Sequence, residues 1–339
     1  MVVHTDIENL PLFKNAVITI GTFDGVHTGH LQIIHQLKKE AVQINGESVI
    51  ITFHPHPRMV IDAASQASLR DNYEEIKLLN TLPEKIELLQ KQNIDHLVIV
   101  PFTIEFSEQS AEEYIRDFLV SKFHPHTVII GHDHHFGKNR GGNYKLLELF
   151  QSECNYIVKE IPVHVLHNVT ISSTKIRHAL EHGDINTANE YLGYAYFFEG
   201  RVIEGDKLGR KLGFPTANIL ITDRNKLIPG NGVYAVDVLI IEPADSKGLE
   251  ELSPGISNQT SGTIDLKGMM NIGVRPTVGG TKKVIEVNIF DFDTSIYERT
   301  IRIYVRYFLR NEIKFEDLEA LKEQLFSDKT NALKLLETV

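Results

Sequence analysis

Gly21-Thr22-Phe23-Asp24-Gly25-Val26-His27-Thr28-Gly29-His30 is the stretch whose reading decides the fold of the first half of the chain. Ahead of it, Ala16–Ile20 is an uninterrupted apolar run of strand length; behind it, Leu31, Ile33, Ile34, Leu37, Ala41 and Ile44 recur at the spacing of a helix with one buried face. The segment therefore reads as strand, glycine-rich turn and helix start. His27 and His30, three residues apart, share a face of the first helical turn. Backbone N–H groups at a helix N-terminus and the positive end of the helix dipole make such a turn a natural phosphate site.

The alternation continues outward from that unit. Ser48–Phe53 reads as a second strand, Pro83–Asn93 as a short helix with proline in its first turn, and Asp95–Val100 as a third strand. Ser110-Ala111-Glu112-Glu113 is a capping box ahead of a face formed by Ile115, Phe118 and Leu119. Thr127–Gly131 is a fourth strand, Asn143–Glu153 a helix and Tyr156–Pro162 a fifth strand. Strands alternating with helices predict a parallel sheet covered on both faces, with ligands at the carboxyl ends of the strands. Residues 171–192 read as two helices, the first capped by Ser172 or Ser173 and ended by Gly183, the second capped by Asp184. This pair is expected to close the first domain.

Beyond it the pattern changes. Tyr194–Glu204, Gly232–Ile241, Lys267–Gly273, Lys283–Phe290 and Thr300–Leu309 are strand-like with no helices expected between them, which predicts an antiparallel barrel or sandwich. Pro243–Ile264 has the composition of an excursion between strands. From Phe315 onward the chain reads as helical, with Leu318, Leu321, Leu325 and Phe326 expected on one buried face.

Composition bounds the function. The 339 residues favour two domains. An apolar share of 42% and a charged share of 24% are those of a globular protein, and no apolar run approaches the ~20 residues that span a bilayer. The net charge of −10 argues against a general nucleic-acid binder. Met1–Leu10 lacks the layout of a secretory signal, and the single cysteine, Cys154, fits a reducing compartment, so a cytoplasmic location is expected. Three histidine groupings have the spacing of transition-metal sites: His54 with His56, His124 with His126, and His132 to His135 around Asp133. No cysteine cluster or HExxH accompanies them, and substrate contact or loop polarity is the preferred reading.

Two constellations carry chemistry. The first joins Gly21–His30 to Ile171-Ser172-Ser173-Thr174-Lys175-Ile176-Arg177, which offers hydroxyls at a helix start and an arginine one turn on. Both suit a polyphosphate, whose reactions need alignment and donors for developing charge. The second is the glycine-punctuated run from Gly200 to Asn218, GRVIEGDKLGRKLGFPTAN. Gly205, Gly209 and Gly213 can bring backbone close to a ligand, with Arg210 between them and Pro215 just beyond. Thr216 and Asn218 face one way in an extended segment and are neutral oxygen ligands of the kind Mg²⁺ takes when phosphates hold most of it.

GTFDGVHTGH resembles the HxGH nucleotidyltransferases, and the form FDGVHxGH, with Gly25, is similar to that of the bacterial bifunctional riboflavin kinase/FAD synthetase family. Thr52–Pro57 (TFHPHP, including His56), Gly131–Gly137 (GHDHHFG, including Asp133) and ISSTKIR resemble further motifs of its FAD synthetase half. Gly200–Asn218 matches the riboflavin kinase signature, and Glu286 in IEVNIFDF stands in the family's E-x-H-I-x-D-F. The resemblance covers nearly the whole chain. It implies a Rossmann-like α/β nucleotidyltransferase domain at 1–185 and an antiparallel β-barrel riboflavin kinase domain with C-terminal helices at 186–339. It implies that riboflavin and ATP give FMN at the barrel, with Glu286 as base and Mg²⁺ on Thr216 and Asn218, and that FMN and a second ATP then give FAD. For that second step it implies His27 and His30 as catalytic groups, Gly21, Phe23, Asp24, Gly25, Gly29, Ser173, Thr174 and Arg177 around the nucleotide, and His56 and Asp133 toward the flavin. Gly205, Gly209, Arg210, Gly213 and Pro215 would line the kinase nucleotide site.

Three positions depart from the family pattern: Asn288 stands where histidine is frequent, Glu298 replaces a turn glycine, and His134 replaces a phenylalanine. A kinase with an inactive second half would be expected to lose the HxGH or ISSTxIR residues. A non-catalytic flavin-binding regulator would lose His27, His30, Thr216, Asn218 or Glu286; all are present.

Overall fold

The computed structural model describes residues 1–65, 75–131, 134–161, 171–205, 208–241, 266–277 and 280–337. Asp133 and the 243–264 excursion lie outside the described residues. The described residues divide into two compact units, Met1–Lys77 with Glu84–Ser172, and Leu78–Pro83 with Ser173–Val339.

The first unit is built on Val2–His4 (β1), Val17–Ile20 (β2), Thr28–Gln43 (α1), Ser48–His54 (β3), Pro57–Ala64 (α2), Leu82–Gln90 (α3, from Glu84 on) and His96–Pro101 (β4). It continues through the short turns Ile104–Ser107 (α4) and Ala111–Glu113 (α5), the π-helical stretch Tyr114–Val120, Ser121–Phe123 (α6), Thr127–Gly131 (β5), Tyr144–Cys154 (α7) and Ile157–Ile161 (β6). All pairings among these six strands are parallel, in the order β1-β4-β3-β2-β5-β6. The central strands β2, β3, β4 and β5 are buried almost throughout, as parallel strands covered on both faces must be, whereas β1 and β6 at the edges alternate or stay partly exposed. Sequence order runs 4-3-2 on one side of the sheet and 5-6 on the other, so the direction of winding reverses between β2 and β5. Open α/β sheets form a crevice at that reversal, outside the strand carboxyl ends, and Gly21–His30 leaves the carboxyl end of β2 there.

The capping box at Ser110 and Glu113 is formed in both directions, and Tyr114, Ile115, Phe118 and Leu119 are buried behind it. The winding there is π rather than the expected α. Strand β1 has no counterpart in the sequence reading: three residues are too few for a periodic signal, and parallel pairing with β4 makes them a strand.

In the second unit come Ser173–Glu181 (α8), Ile185–Leu192 (α9), Phe197–Ile203 (β7), Leu208–Lys211 (α10), Ala217–Leu220 (β8), Gly232–Ile241 (β9), Leu266–Thr277 (β10), Gly280–Ile289 (β11), Thr300–Arg310 (β12) and Leu318–Leu336 (α11). Six antiparallel strands close as β10-β11-β8-β7-β12-β9, which resolves the choice between barrel and sandwich. Two sequence expectations are corrected. A turn of helix, α10, does stand between strands. The helices α8 and α9, expected to close the first domain, pack with the barrel instead: the Asn189 amide donates to the Val305 carbonyl at 3.0 Å, and the Gly230 N–H donates to the Leu180 carbonyl at 2.9 Å. The stray segment Leu78–Pro83 belongs here too, held by Leu78 N–H to Asn225 O at 2.7 Å and Leu227 N–H to Leu78 O at 2.8 Å.

The C-terminal helix is present, capped by Asp317, and keeps half of the expected inward face: Leu321 and Leu325 are half-buried, Leu325 against a cluster with Ala332 and Leu336. Leu318 and Phe326 are exposed, while Asp328, Ala332 and Leu336 are buried. A carboxylate within the buried stripe hides its true phase. The charge of Asp328 is met by Arg310 (Nη2 to Oδ2, 2.7 Å) and by the Gln324 amide at 2.8 Å.

Candidate functional sites

In the first unit the turn after β2 is wound through three left-handed residues, Phe23 (φ 47°), Gly25 (φ 88°) and Val26 (φ 38°). Glycine accepts this freely at 25; phenylalanine and β-branched valine do not, and each such residue costs on the order of 1–3 kcal/mol that its surroundings must offset. Burial of Phe23 and Val26, at 2% exposure each, is one offset. The turn is also pinned by Gly21 N–H to Ile51 O at 3.0 Å and Val26 N–H to Phe23 O at 3.2 Å. Its product is to seat Asp24 and His27 in the interior, at 1% and 5% exposure.

His27 is the N-cap of α1, its Nδ1 accepting the His30 N–H at 3.3 Å. A neutral His27 therefore carries its proton on Nε2 and can donate from there. The rings of His27 and His30 stack with centroids 3.6 Å apart, and Phe23 lies 5.0 Å from His30 on centroids. Gly29 leaves the stack uncrowded, since a Cβ there would lie 3.2 Å from the His27 ring. His30 Nδ1 is buried with no hydrogen-bond partner among the described residues. Burial first, then the neighbouring His27 and Lys85, hold the His30 pKa well below its ordinary value. At neutral pH His30 is thus an uncharged imidazole with an unfilled polar atom. Two imidazoles at the start of a 16-residue helix, in a sheet crevice, are matched to an anionic ligand such as a polyphosphate.

His56 has a task of its own, capping α2 by accepting the Arg58 N–H on Nδ1 at 3.2 Å. Ser173, Thr174 and Arg177 lie on α8, which belongs to the second unit, so the two halves of the first constellation come from different compact units. Among the described residues no three His, Cys, Asp or Glu side chains gather as a metal site.

In the barrel, β11 pairs with β8 and β10 so that Glu286 stands opposite Asn218 on one side and Asn271 on the other. Directly opposed residues share a face of a sheet, so Glu286 and Asn218 project together. The glycines bring the connecting loop down onto this face. A Cβ at Gly205 would lie 2.0 Å from the Asn218 amide nitrogen, and one at Gly209 would lie 2.3 Å from the Phe214 carbonyl and 3.4 Å from the Thr216 hydroxyl. Gly213 adopts φ 85° with nothing near its missing Cβ, so its demand is conformational. Thr216, Asn218, Glu286, Gly205 and Gly209 are therefore assembled into one place, with Arg210 and Pro215 exposed beside it. Two neutral oxygens beside a carboxylate and an open loop fit a hard cation held mostly by phosphate.

Two of the departures now have physical accounts. The Asn288 amide, 6% exposed, donates to the Pro215 carbonyl at 2.7 Å and so ties the segment bearing Thr216 to β11. Glu298 keeps the left-handed conformation of the glycine it replaces, φ 64°, with its N–H bonded to Val202 O at 2.9 Å and its carboxylate 2.9 Å from Arg201. The sequence reading missed Lys85, which lies under the first site. A lone lysine on a short amphipathic helix carries no signal of burial.

Known proteins resemble the chain along both units. The FAD synthetase family model matches residues 11–175 and the riboflavin kinase model residues 192–336. A bifunctional riboflavin kinase/FMN adenylyltransferase of Haemophilus influenzae is 34% identical over 317 residues, 94% of this chain and 93% of that protein. Its namesake in Escherichia coli K12 is 34% identical over 319 residues, 94% of this chain and 92% of the other. A crystal structure described as a macrolide-efflux protein of Streptococcus pneumoniae superposes with a TM-score of 0.80 at 25% identity, covering 97% of both chains. Among the described residues no helix is long and apolar enough to cross a membrane. With its two site constellations, its two family matches and relatives aligned over nine-tenths of its length, the chain belongs to the bifunctional riboflavin kinase/FMN adenylyltransferase family.

Proposed function

We propose that the barrel phosphorylates riboflavin and the α/β unit converts the resulting FMN to FAD. In the first reaction the riboflavin 5′-hydroxyl attacks the γ-phosphorus of ATP, the bond to the β-phosphate oxygen breaks, and ADP leaves. Glu286 accepts the hydroxyl proton as general base. Gly205, Gly209 and Gly213 let the loop backbone close on the nucleotide, with Arg210 and Pro215 at its rim. Thr216 and Asn218 would hold Mg²⁺, which when bound neutralises phosphate charge. Asn288 keeps Thr216 in place through the Pro215 carbonyl.

In the second reaction a phosphate oxygen of FMN attacks the α-phosphorus of a second ATP and pyrophosphate leaves. The nucleophile is already ionised, so the site needs donors more than a base. His27 and His30 act as neutral donors to the charge developing on the phosphates. Gly21, Phe23, Asp24, Gly25 and Gly29 shape the turn around the nucleotide; the family resemblance alone assigns Ser173, Thr174 and Arg177 to its phosphates and His56 and Asp133 to the flavin. The substrates are small molecules, with no role for nucleic acid or membrane, and the cytoplasm is the proposed location.

The observation that carries this reading is the joint presence of a stacked His27–His30 pair at a sheet crevice and the Asn218–Glu286 register in the barrel. Incubation with riboflavin, ATP and Mg²⁺ followed by chromatography of the flavins tests it: FMN and then FAD are expected, and FMN without FAD would remove the second activity.

A further inference from the structure

Lys85, on α3, is a buried cation that the proposed chemistry does not use. It is 7% exposed, and its ammonium donates to the Thr22 carbonyl at 2.6 Å. Burial pulls its pKa down, while Asp24 opposes that shift, so the two buried groups feel each other. The same carbonyl accepts the Thr52 hydroxyl from β3 at 3.2 Å. Thr22 immediately precedes the turn that carries left-handed Phe23, Gly25 and Val26. A turn of that kind holds only when its surroundings over-determine it.

We propose that Lys85 is a positioning residue for adenylyl transfer: clamping the Thr22 carbonyl from a separate helix, it fixes the strained turn that aims Asp24 and His27 into the site. The inference rests on the proposed adenylyltransferase reading. A structural lysine would stabilise the unit without regard to the reaction. A clamp on this carbonyl instead sets the geometry of groups whose misplacement by about 1 Å costs on the order of 100-fold in rate. Thr52 is the weaker second arm, and both arms come from elements outside the motif they hold.

The test is the full-length chain carrying Lys85→Met, which keeps the length of the side chain and removes the donor. FAD formation from supplied FMN is read as kcat and KM, and riboflavin kinase activity of the same chain and melting of the N-terminal unit are recorded alongside. The expected result is a kcat for FAD lowered about 100-fold, with KM values and kinase activity unchanged and the melting transition retained. Lys85→Arg, which restores a donor, should recover most of the rate. An unchanged kcat, or an effect confined to KM, would overturn the inference. Should Lys85→Met fail to fold, Thr52→Val decides: a lowered kcat supports the clamp and an unchanged one overturns it. Wild-type protein that makes no FAD would refute the adenylyltransferase reading itself, whereas FAD formed with the same kcat by wild type and Lys85→Met would refute the clamp alone.

Discussion

The two sites are built on opposite principles. In the α/β unit the proposed chemistry is concentrated in ten consecutive residues, of which Phe23–His27 are buried and the two ends half-buried, with a strained turn holding the side chains in place. In the barrel it is spread over seventy residues, open to solvent at Thr216, and assembled by strand register and by glycines that let a loop touch Asn218 and Thr216. A site of the first kind should fail through burial and charge, and one of the second kind through spacing. The contrast makes each half sensitive to changes that the other ignores.

The largest separation should come from the reacting groups. His30→Ala is expected to lower FAD formation by about 10²–10³, the cost of one preorganised donor, and to leave FMN formation within twofold. Glu286→Gln should lower FMN formation by about 10²–10⁴ and leave conversion of supplied FMN to FAD intact. Steady-state assays of each half-reaction in one preparation check both. Next in size is spacing in the barrel. Gly205→Ala puts a methyl 2.0 Å from the Asn218 amide and should raise the kinase KM for MgATP about tenfold, the effect of ~1–3 kcal/mol of overpacking.

Acidification should distinguish the halves by stability. The His30 pKa is depressed by burial, so the unfolded chain binds a proton that the folded unit refuses as the pH falls through about 6.5. The N-terminal unit should therefore lose stability progressively below that pH, down to the lowered pKa of the folded state, and His30→Gln should flatten this dependence. Thermal melts from pH 8 to 5 measure it. The smallest expected effect is Glu298→Gly, which relieves a left-handed glutamate and should change barrel stability by no more than about 1 kcal/mol in the stabilising direction, less the loss of its surface pair with Arg201.

The same contrast explains what the sequence disclosed. The parallel sheet was legible because β2, β3, β4 and β5 are buried on both faces and so appear as apolar runs, whereas the order of its strands was not. The His27–His30 site was legible because its parts are contiguous. Five of the six barrel strands were legible as β structure; β8, inside the glycine-punctuated run, was not, and the pairing of Glu286 with Asn218 was not visible at all, since register is a tertiary property. Helix α11 was phased only in part: Leu321 and Leu325 do face inward, but Leu318 and Phe326 do not, and Asp328 occupies the buried stripe, neutralised by an arginine from β12. Lys85, and the contact made by Asn288, were invisible for a related reason: each side chain reaches a backbone carbonyl in another element, Thr22 in one case and Pro215 in the other. No side-chain type announces such a contact.

One measurement bears most directly on the claim that a single chain runs two successive reactions at independent sites. Riboflavin, ATP and Mg²⁺ are mixed with wild type, His30→Ala or Glu286→Gln, and the flavins are followed by chromatography over time. The account predicts that wild type passes through FMN to FAD, that His30→Ala stops at FMN, and that Glu286→Gln leaves riboflavin unconverted yet makes FAD once FMN is added. FAD accumulating at the wild-type rate in His30→Ala, or wild type that halts at FMN, would contradict it.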